Sequence, residues 1–130
     1  IRMGSGDITA AAGSVDGVAG SMVLGVELGA GDYYMPLFVV PSEGTPFDDA
    51  LKDSIIETIR TTVSPRYVPD EIIEAPAVPR NRTGKPLEVP IKRVFQGEDA
   101  SVINRAAAAD TEILNWYVDR ARAHQGRRPA

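Results

Sequence analysis

The sequence predicts an α+β fold in which helices pack on a small mixed β-sheet and a hairpin protrudes. Three observations carry this reading. Residues 18–28 and 33–40 are apolar, β-branched or aromatic runs with the character of strands. Phe47, Leu51, Ile55 and Ile59 recur every four residues and so line one face of a helix. Prolines and glycines divide the remainder into a short strand, a tight turn and further helices. The order strand, strand, helix, strand, hairpin, helix suits a mixed sheet covered by helices.

A helix beginning near Asp7 is limited by Gly13 and Gly17. Within residues 18–28, Met22, Val23, Leu24 and Val26 are apolar enough for burial on both faces of a strand. Residues 29–32 read as a turn, and Pro41 closes the second strand. The next helix is predicted to start with Thr45 as its cap and Pro46 in its first position, Asp48 and Asp49 complementing the dipole. Pro65 and Pro69 end the helical run and force an extended link to a third strand at residues 71–74. A Pro-rich approach leads to the Thr83-Gly84 turn, and a short helix is expected over residues 89–95, ending before Gly97. Residues 98–110 are a connector. Asp110 or Thr111 caps a last helix whose inner face is Ile113, Leu114, Tyr117, Val118 and Ala121, with Trp116 in a packing role. Residues 127–130 are expected to fray.

A length of 130 residues fits one domain with a modest core, and 43% hydrophobic with 25% charged residues is the composition of a soluble protein. The absence of cysteine excludes disulfides, thiolate metal sites and cysteine nucleophiles, and fits a cytoplasmic location. No apolar run reaches membrane-spanning length, so no membrane partner is expected. The chain opens on Ile1, which reads as the start of a fragment.

The net charge of −4 conceals an asymmetry. Residues 1–59 carry two basic and nine acidic side chains, whereas residues 60–93 carry seven basic and four acidic ones. A cationic segment on an acidic body argues against nucleic acid, which favours a broadly basic surface. A small anionic ligand, or plain solvation of a basic loop, accounts for the segment equally well. No nucleophile–base pair is present. The lone His124 lies in a polar tail expected to fray, without a spaced carboxylate or cysteine, so no metal or catalytic role is assigned to it. Gly4-Ser5-Gly6 follows no strand and lacks the third glycine of a phosphate loop.

The most informative stretch is Val78-Pro79-Arg80-Asn81-Arg82-Thr83-Gly84-Lys85-Pro86-Leu87-Glu88-Val89-Pro90. Gly84 can take the positive φ of a tight turn, which carries Lys85 to the tip of a hairpin. Spacing alone reads Lys85 as a solvated turn residue or as a point charge deliverable to an anion on another domain.

The flanking residues resolve that choice by resemblance. Ser64-Pro65-Arg66-Tyr67-Val68-Pro69-Asp70, then Thr83-Gly84-Lys85, then Leu87-Glu88-Val89-Pro90-Ile91-Lys92-Arg93 resemble the C-terminal domain of the acetoacetyl-CoA synthetases. These form a subgroup of the adenylate-forming acyl-CoA synthetases. The likeness extends upstream to Ile1-Arg2-Met3-Gly4 and downstream to Ile103-Asn104-Arg105 and Leu114-Asn115-Trp116. It implies a mobile C-terminal domain at residues 1–97, with its connector and terminal helix at 98–130, and a large N-terminal adenylation domain outside this chain. It also implies ATP and CoA as substrates with a short β-keto acid, Mg²⁺ accompanying ATP without ligands visible here, and acyl-CoA formation through an acyl-adenylate. Lys85 matches the lysine that serves adenylation. Arg2 matches an arginine near the ATP-derived phosphate, Arg60 one that contacts a CoA phosphate, and Gly4 the loop beside the pantetheine channel. The arginine that often follows the lysine in the wider superfamily is missing, and Lys92 and Arg93 come later. Two rivals stay open: another short-chain synthetase, such as one for acetate or propionate, and a standalone CoA-binding or regulatory module.

Overall fold

The computed structural model describes residues 5–29, 32–85, 87–99, 106 and 108–127. Their order is α1 (Ser5–Gly13), β1 (Val18–Val23), β2 (Val26–Gly29), β3 (Asp32–Tyr34), β4 (Pro36–Pro41), α2 (Asp49–Thr62), a 3₁₀ turn (Pro65–Tyr67), β5 (Glu71–Glu74), α3 (Glu88–Phe95) and α4 (Thr111–Arg127). They fall into two compact units. One takes the described residues of Ile1–Leu24 and Met35–Val78, the other those of Gly25–Tyr34 and Pro79–Ala130.

The first unit is built around β4. It pairs antiparallel with β1, Met22 opposite Phe38, and parallel with β5, Leu37 opposite Ile72. A central strand buried on both faces needs an apolar run rather than an alternation, and Pro36 to Val39 are all buried. Leu37 and Val39 face a core made with Ile8, Ala11 and Ala12 of α1, Leu51, Ile55 and Ile59 of α2, and Ile72 of β5. Each such aliphatic side chain contributes roughly 1.5–3 kcal/mol when fully buried. β1 is bulged between Val18 and Gly20, next to a turn at Gly17. Gly17 has φ +98°, its carbonyl accepts from Ser42 N–H, and a Cβ there would stand 2.8 Å from the Thr45 methyl. Conformation and space both demand glycine at that point.

Three expectations are corrected here. The run at residues 18–28 is two strands: the ladder of β1 with β4 extends to Leu24, whose N–H donates to the Pro36 carbonyl (3.1 Å), and β2 starts two residues later in the other unit, paired with β3. The run at residues 33–40 breaks at Met35. Its N–H donates to an Asp70 carboxylate oxygen (2.7 Å), and its carbonyl accepts from Asp70 N–H (2.8 Å). Helix α2 is capped by Asp48, not Thr45. Asp48 is extended, and its carboxylate accepts from Leu51 N–H at 3.0 Å, satisfying one of the helix's unpaired first-turn donors. Pro46 therefore precedes the helix.

The second unit holds the β2–β3 hairpin, with Val26 opposite Tyr34, and the helices α3 and α4. Tyr34 and Phe95 rings lie 6.2 Å apart. Ile91, Val94 and Phe95 of α3 are buried, and so are Leu114, Tyr117, Val118 and Ala121 of α4, as the periodicity of that last helix predicts, while Ile113 is half-buried. Asp110 caps α4, accepting from Glu112 N–H (2.9 Å) and Ile113 N–H (3.3 Å). Trp116 meets Tyr117 edge-on at 4.8 Å. The helix continues through His124 to Arg127, the first residue of the segment expected to fray. Residues 128–130, the tip of the turn after β2 and most of the 98–110 connector lie outside the described residues.

Tyr117 has no accessible surface, and burial raises its phenol above the ordinary range. The phenol of the unfolded chain ionises first, near pH 10. Stability is therefore unaffected by this group below about pH 10 and falls as pH rises above it. Thermal melts of the wild type should decline over that alkaline interval, and Tyr117→Phe should flatten the decline. Identical slopes in the two proteins would exclude a buried neutral phenol.

Candidate functional site

Three of the fourteen basic residues lie on one loop that leads into the second unit. Residues 75–87 hold Arg80, Arg82 and Lys85 and no acidic side chain. Leu87 N–H donates to the Pro79 carbonyl (2.9 Å), which pins the base of the loop. Nearer the tip, Asn81 N–H donates to the Lys85 carbonyl (2.8 Å) and Gly84 N–H to the Asn81 carbonyl (3.0 Å). The Asn81 carboxamide oxygen then accepts from Thr83 N–H (3.0 Å), the Thr83 hydroxyl (2.7 Å) and Lys85 N–H (2.9 Å). Gly84 closes the turn at φ +92°, and a Cβ built there would meet nothing within 4 Å. Glycine is needed for the backbone conformation, not for room.

The arginines tie this turn to its surroundings. Arg80 donates through Nη1 to the Gly84 carbonyl (2.9 Å), and Arg82 through Nε to the Ala106 carbonyl (2.7 Å). Ala109 N–H donates to the Arg80 carbonyl (2.9 Å), and Asn81 forms an antiparallel bridge with Ala108. The segment before α4 thus backs the loop. Lys85 is exposed, and the ion pairs among the described residues, Arg60–Glu57 and Arg93–Glu98, do not engage it. The result is a hydrated ammonium on a flexible stem whose backbone origin is held from several sides. Such a group can travel to an anion and neutralise it while the turn stays formed.

Arg60 lies in the last turn of α2 and is exposed. It donates through Nε to Glu57 at 3.0 Å and through Nη2 to the other carboxylate oxygen. Those hydrogen bonds, with the charge attraction behind them, hold the Glu57 carboxyl below its usual range and the guanidinium above its own. No described residue accepts from Nη1, which leaves that edge of the fork for a further anion. Arg93, at the end of α3, is similarly engaged by Glu98. Arg2 and Gly4 lie outside the described residues.

Sequence reasoning identified Lys85 and Gly84 but not Asn81, which makes the most bonds in the turn, nor Arg80. A signal was available. A short amide two residues before Thr-Gly is the pattern of a side chain that closes an Asx turn on its own backbone.

Comparison with known proteins places these features in a wider group. Residues 7–85 match the model of the AMP-binding enzyme C-terminal domain. The acetoacetyl-coenzyme A synthetase of Rhizobium meliloti is 32% identical over 117 residues, which is 90% of this chain and 18% of that protein. The malonamoyl-CoA synthetase of Penicillium aethiopicum is 33% identical over 86 residues, covering 66% of this chain and 12% of that protein. Among solved structures, acetoacetyl-CoA synthetase from Streptomyces lividans superposes with a TM-score of 0.86 at 43% identity, over 95% of this chain and 18% of that one. The chain therefore spans under a fifth of the length of these relatives.

The geometry of the turn makes a sharp demand on Gly84. Gly84→Ala should destabilise the protein by about 1–2 kcal/mol, the usual cost of placing a side chain in left-handed backbone. Since the new methyl has open space around it, the loss is purely conformational. Denaturant unfolding checks this, and an unchanged midpoint would contradict the positive φ.

Proposed function

Because this chain belongs to the AMP-binding enzyme C-terminal domain family, we propose that it is the lysine-bearing C-terminal domain of an acetoacetyl-CoA synthetase-like acid–thiol ligase. The observation that carries this reading is the exposed Lys85, free of ion pairing among the described residues, on a turn closed by Asn81 and Gly84. It is the last residue of the match to the family model. The intact enzyme would join a short β-keto acid to CoA in two steps. The carboxylate first attacks the α-phosphate of ATP and expels pyrophosphate, giving an acyl-adenylate. The CoA thiol then attacks the acyl carbon and AMP leaves.

Negative charge accumulates on the phosphate oxygens during the first step. An ammonium brought against them supplies both electrostatic stabilisation and orientation. That is the role assigned to Lys85. Arg60, with its Nη1 edge unclaimed by any described residue, is assigned to a phosphate of CoA in the second step, in a different orientation of the domain. Arg2 beside the ATP-derived phosphate and Gly4 beside the pantetheine channel complete the assignment, together with residues of an N-terminal adenylation domain. Residues 1–97 as the mobile domain and 98–130 as its connector and final helix belong to the same proposal. Mg²⁺ would arrive as the counter-ion of ATP. Among the described residues no group of three histidine, aspartate or glutamate side chains is placed to hold a metal ion. Among the described residues no helix is long and apolar enough to cross a membrane. Cytoplasmic lipid metabolism is the setting proposed with this reaction. Acetoacetate is preferred as the acid because the 43%-identical structure and the Rhizobium relative both carry that name.

In the intact enzyme, Lys85→Ala should slow adenylation by about 10²–10³, the scale of a lost electrostatic stabiliser. Thioester formation from supplied acyl-adenylate should change by no more than a few-fold, and the melting temperature hardly at all. Equal losses in both half-reactions would reject the role.

Arg60→Glu should instead raise the KM for CoA by about tenfold or more, as a charge-assisted contact becomes a repulsion. Pyrophosphate release in the absence of CoA should be spared. An unaltered KM for CoA would remove Arg60 from the site.

A further inference from the structure

We infer that Asn81 is the positioning residue of Lys85, fixing through one neutral carboxamide oxygen the point from which the ammonium reaches its anion. The inference rests on the role proposed for Lys85 above. A lysine side chain has four flexible carbons, so its exposed end carries no fixed position of its own. What the fold can control is the backbone at its root. Both backbone groups of Lys85 are bonded to the same residue: its N–H to the Asn81 side chain at 2.9 Å and its carbonyl to the Asn81 N–H at 2.8 Å. The same oxygen gathers Thr83 through its N–H and its hydroxyl.

The base of the loop is anchored separately, by Pro79 with Leu87 and by Arg80 with Ala109, while Arg82 ties its side chain to Ala106. Loss of the Asn81 oxygen would therefore loosen the tip while the base held. Residue chemistry narrows the choice. Asn and Asp have the short acceptor-bearing side chain that closes such a turn. A carboxylate here would set a negative charge beside the lysine, so the amide is the acceptor that leaves the ammonium uncompensated.

The test uses the intact enzyme with Asn81→Ala, Lys85→Ala and the double variant in both half-reactions. Asn81→Ala should slow adenylation by about tenfold to a hundredfold, the scale of a misplaced reacting group, while sparing thioester formation. The second half-reaction also reports folding, since an unfolded enzyme would lose both. The double variant should be no slower in adenylation than Lys85→Ala. A double variant slowed by the product of the two single effects would overturn the inference, because Asn81 would then act without Lys85. If Lys85→Ala itself spares adenylation, the reading of Lys85 falls and this one with it. If Lys85→Ala slows adenylation and Asn81→Ala does not, Asn81 alone is overturned. Amide exchange gives a readout apart from catalysis. Exchange at Thr83 and Lys85 should quicken by about tenfold or more in Asn81→Ala and stay near wild type in Asn81→Asp, which keeps an acceptor. Unchanged exchange in Asn81→Ala would also overturn it.

Discussion

Met35 must have both of its backbone groups satisfied at the place where the chain re-enters the first unit. It is buried, so an unpaired N–H or carbonyl would be costly, and a continuous strand would have paired them differently. Asp70 supplies both partners at once, its carboxylate to the N–H and its own N–H to the carbonyl. From this junction β4 starts at Pro36 beside the start of β5 at Glu71, and the parallel register between them follows. That register sets Leu37 and Ile72 side by side, where α1 and α2 cover them. The interruption between β3 and β4 is thus the condition for the sheet.

The loop that bears Lys85 solves a different problem. In the role proposed for it, Lys85 has to stay exposed to reach an external anion, yet an unrestrained lysine would lose effectiveness through its many conformers. The structure separates these demands. Side-chain freedom is kept beyond the Cα, while Asn81, Arg80 and the Gly84 conformation hold the backbone. Arginine, often read as a ligand for phosphate, serves here also as an internal strut: Arg82 reaches a carbonyl 24 residues away. Arg60 sits between the two uses, since Glu57 occupies part of its fork on an exposed surface where water and competing anions exchange readily.

The comparisons give the chain its family. Under a fifth of each related synthetase corresponds to this chain. The features it does contain, a cationic loop and a cation at a helix end, suit anionic groups such as phosphates.

Local pattern was enough for much of this. The four-residue repeat of Leu51, Ile55 and Ile59, the inner face of Leu114, Tyr117, Val118 and Ala121, and the Thr83-Gly84-Lys85 turn were legible because each reports on neighbours close in sequence. The resemblance added the family and the roles carried over to Lys85 and Arg60. What the sequence did not disclose depends on residues brought together from a distance. Residues 18–28 and 33–40 look continuous by hydrophobicity, yet Val23 pairs with Leu37 while Val26 pairs with Tyr34, and Met35 is held by a side chain 35 positions away. Asp48 displaced Thr45 as the helix cap because its carboxylate meets Leu51 N–H, while Thr45 lies against the Gly17 turn. Asn81 looked like one more polar loop residue until its oxygen was found among three donors. Periodicity records which side chains are to be buried. Which partner satisfies each buried or constrained backbone group is settled only when the chain is folded, because those partners are chosen by proximity in space.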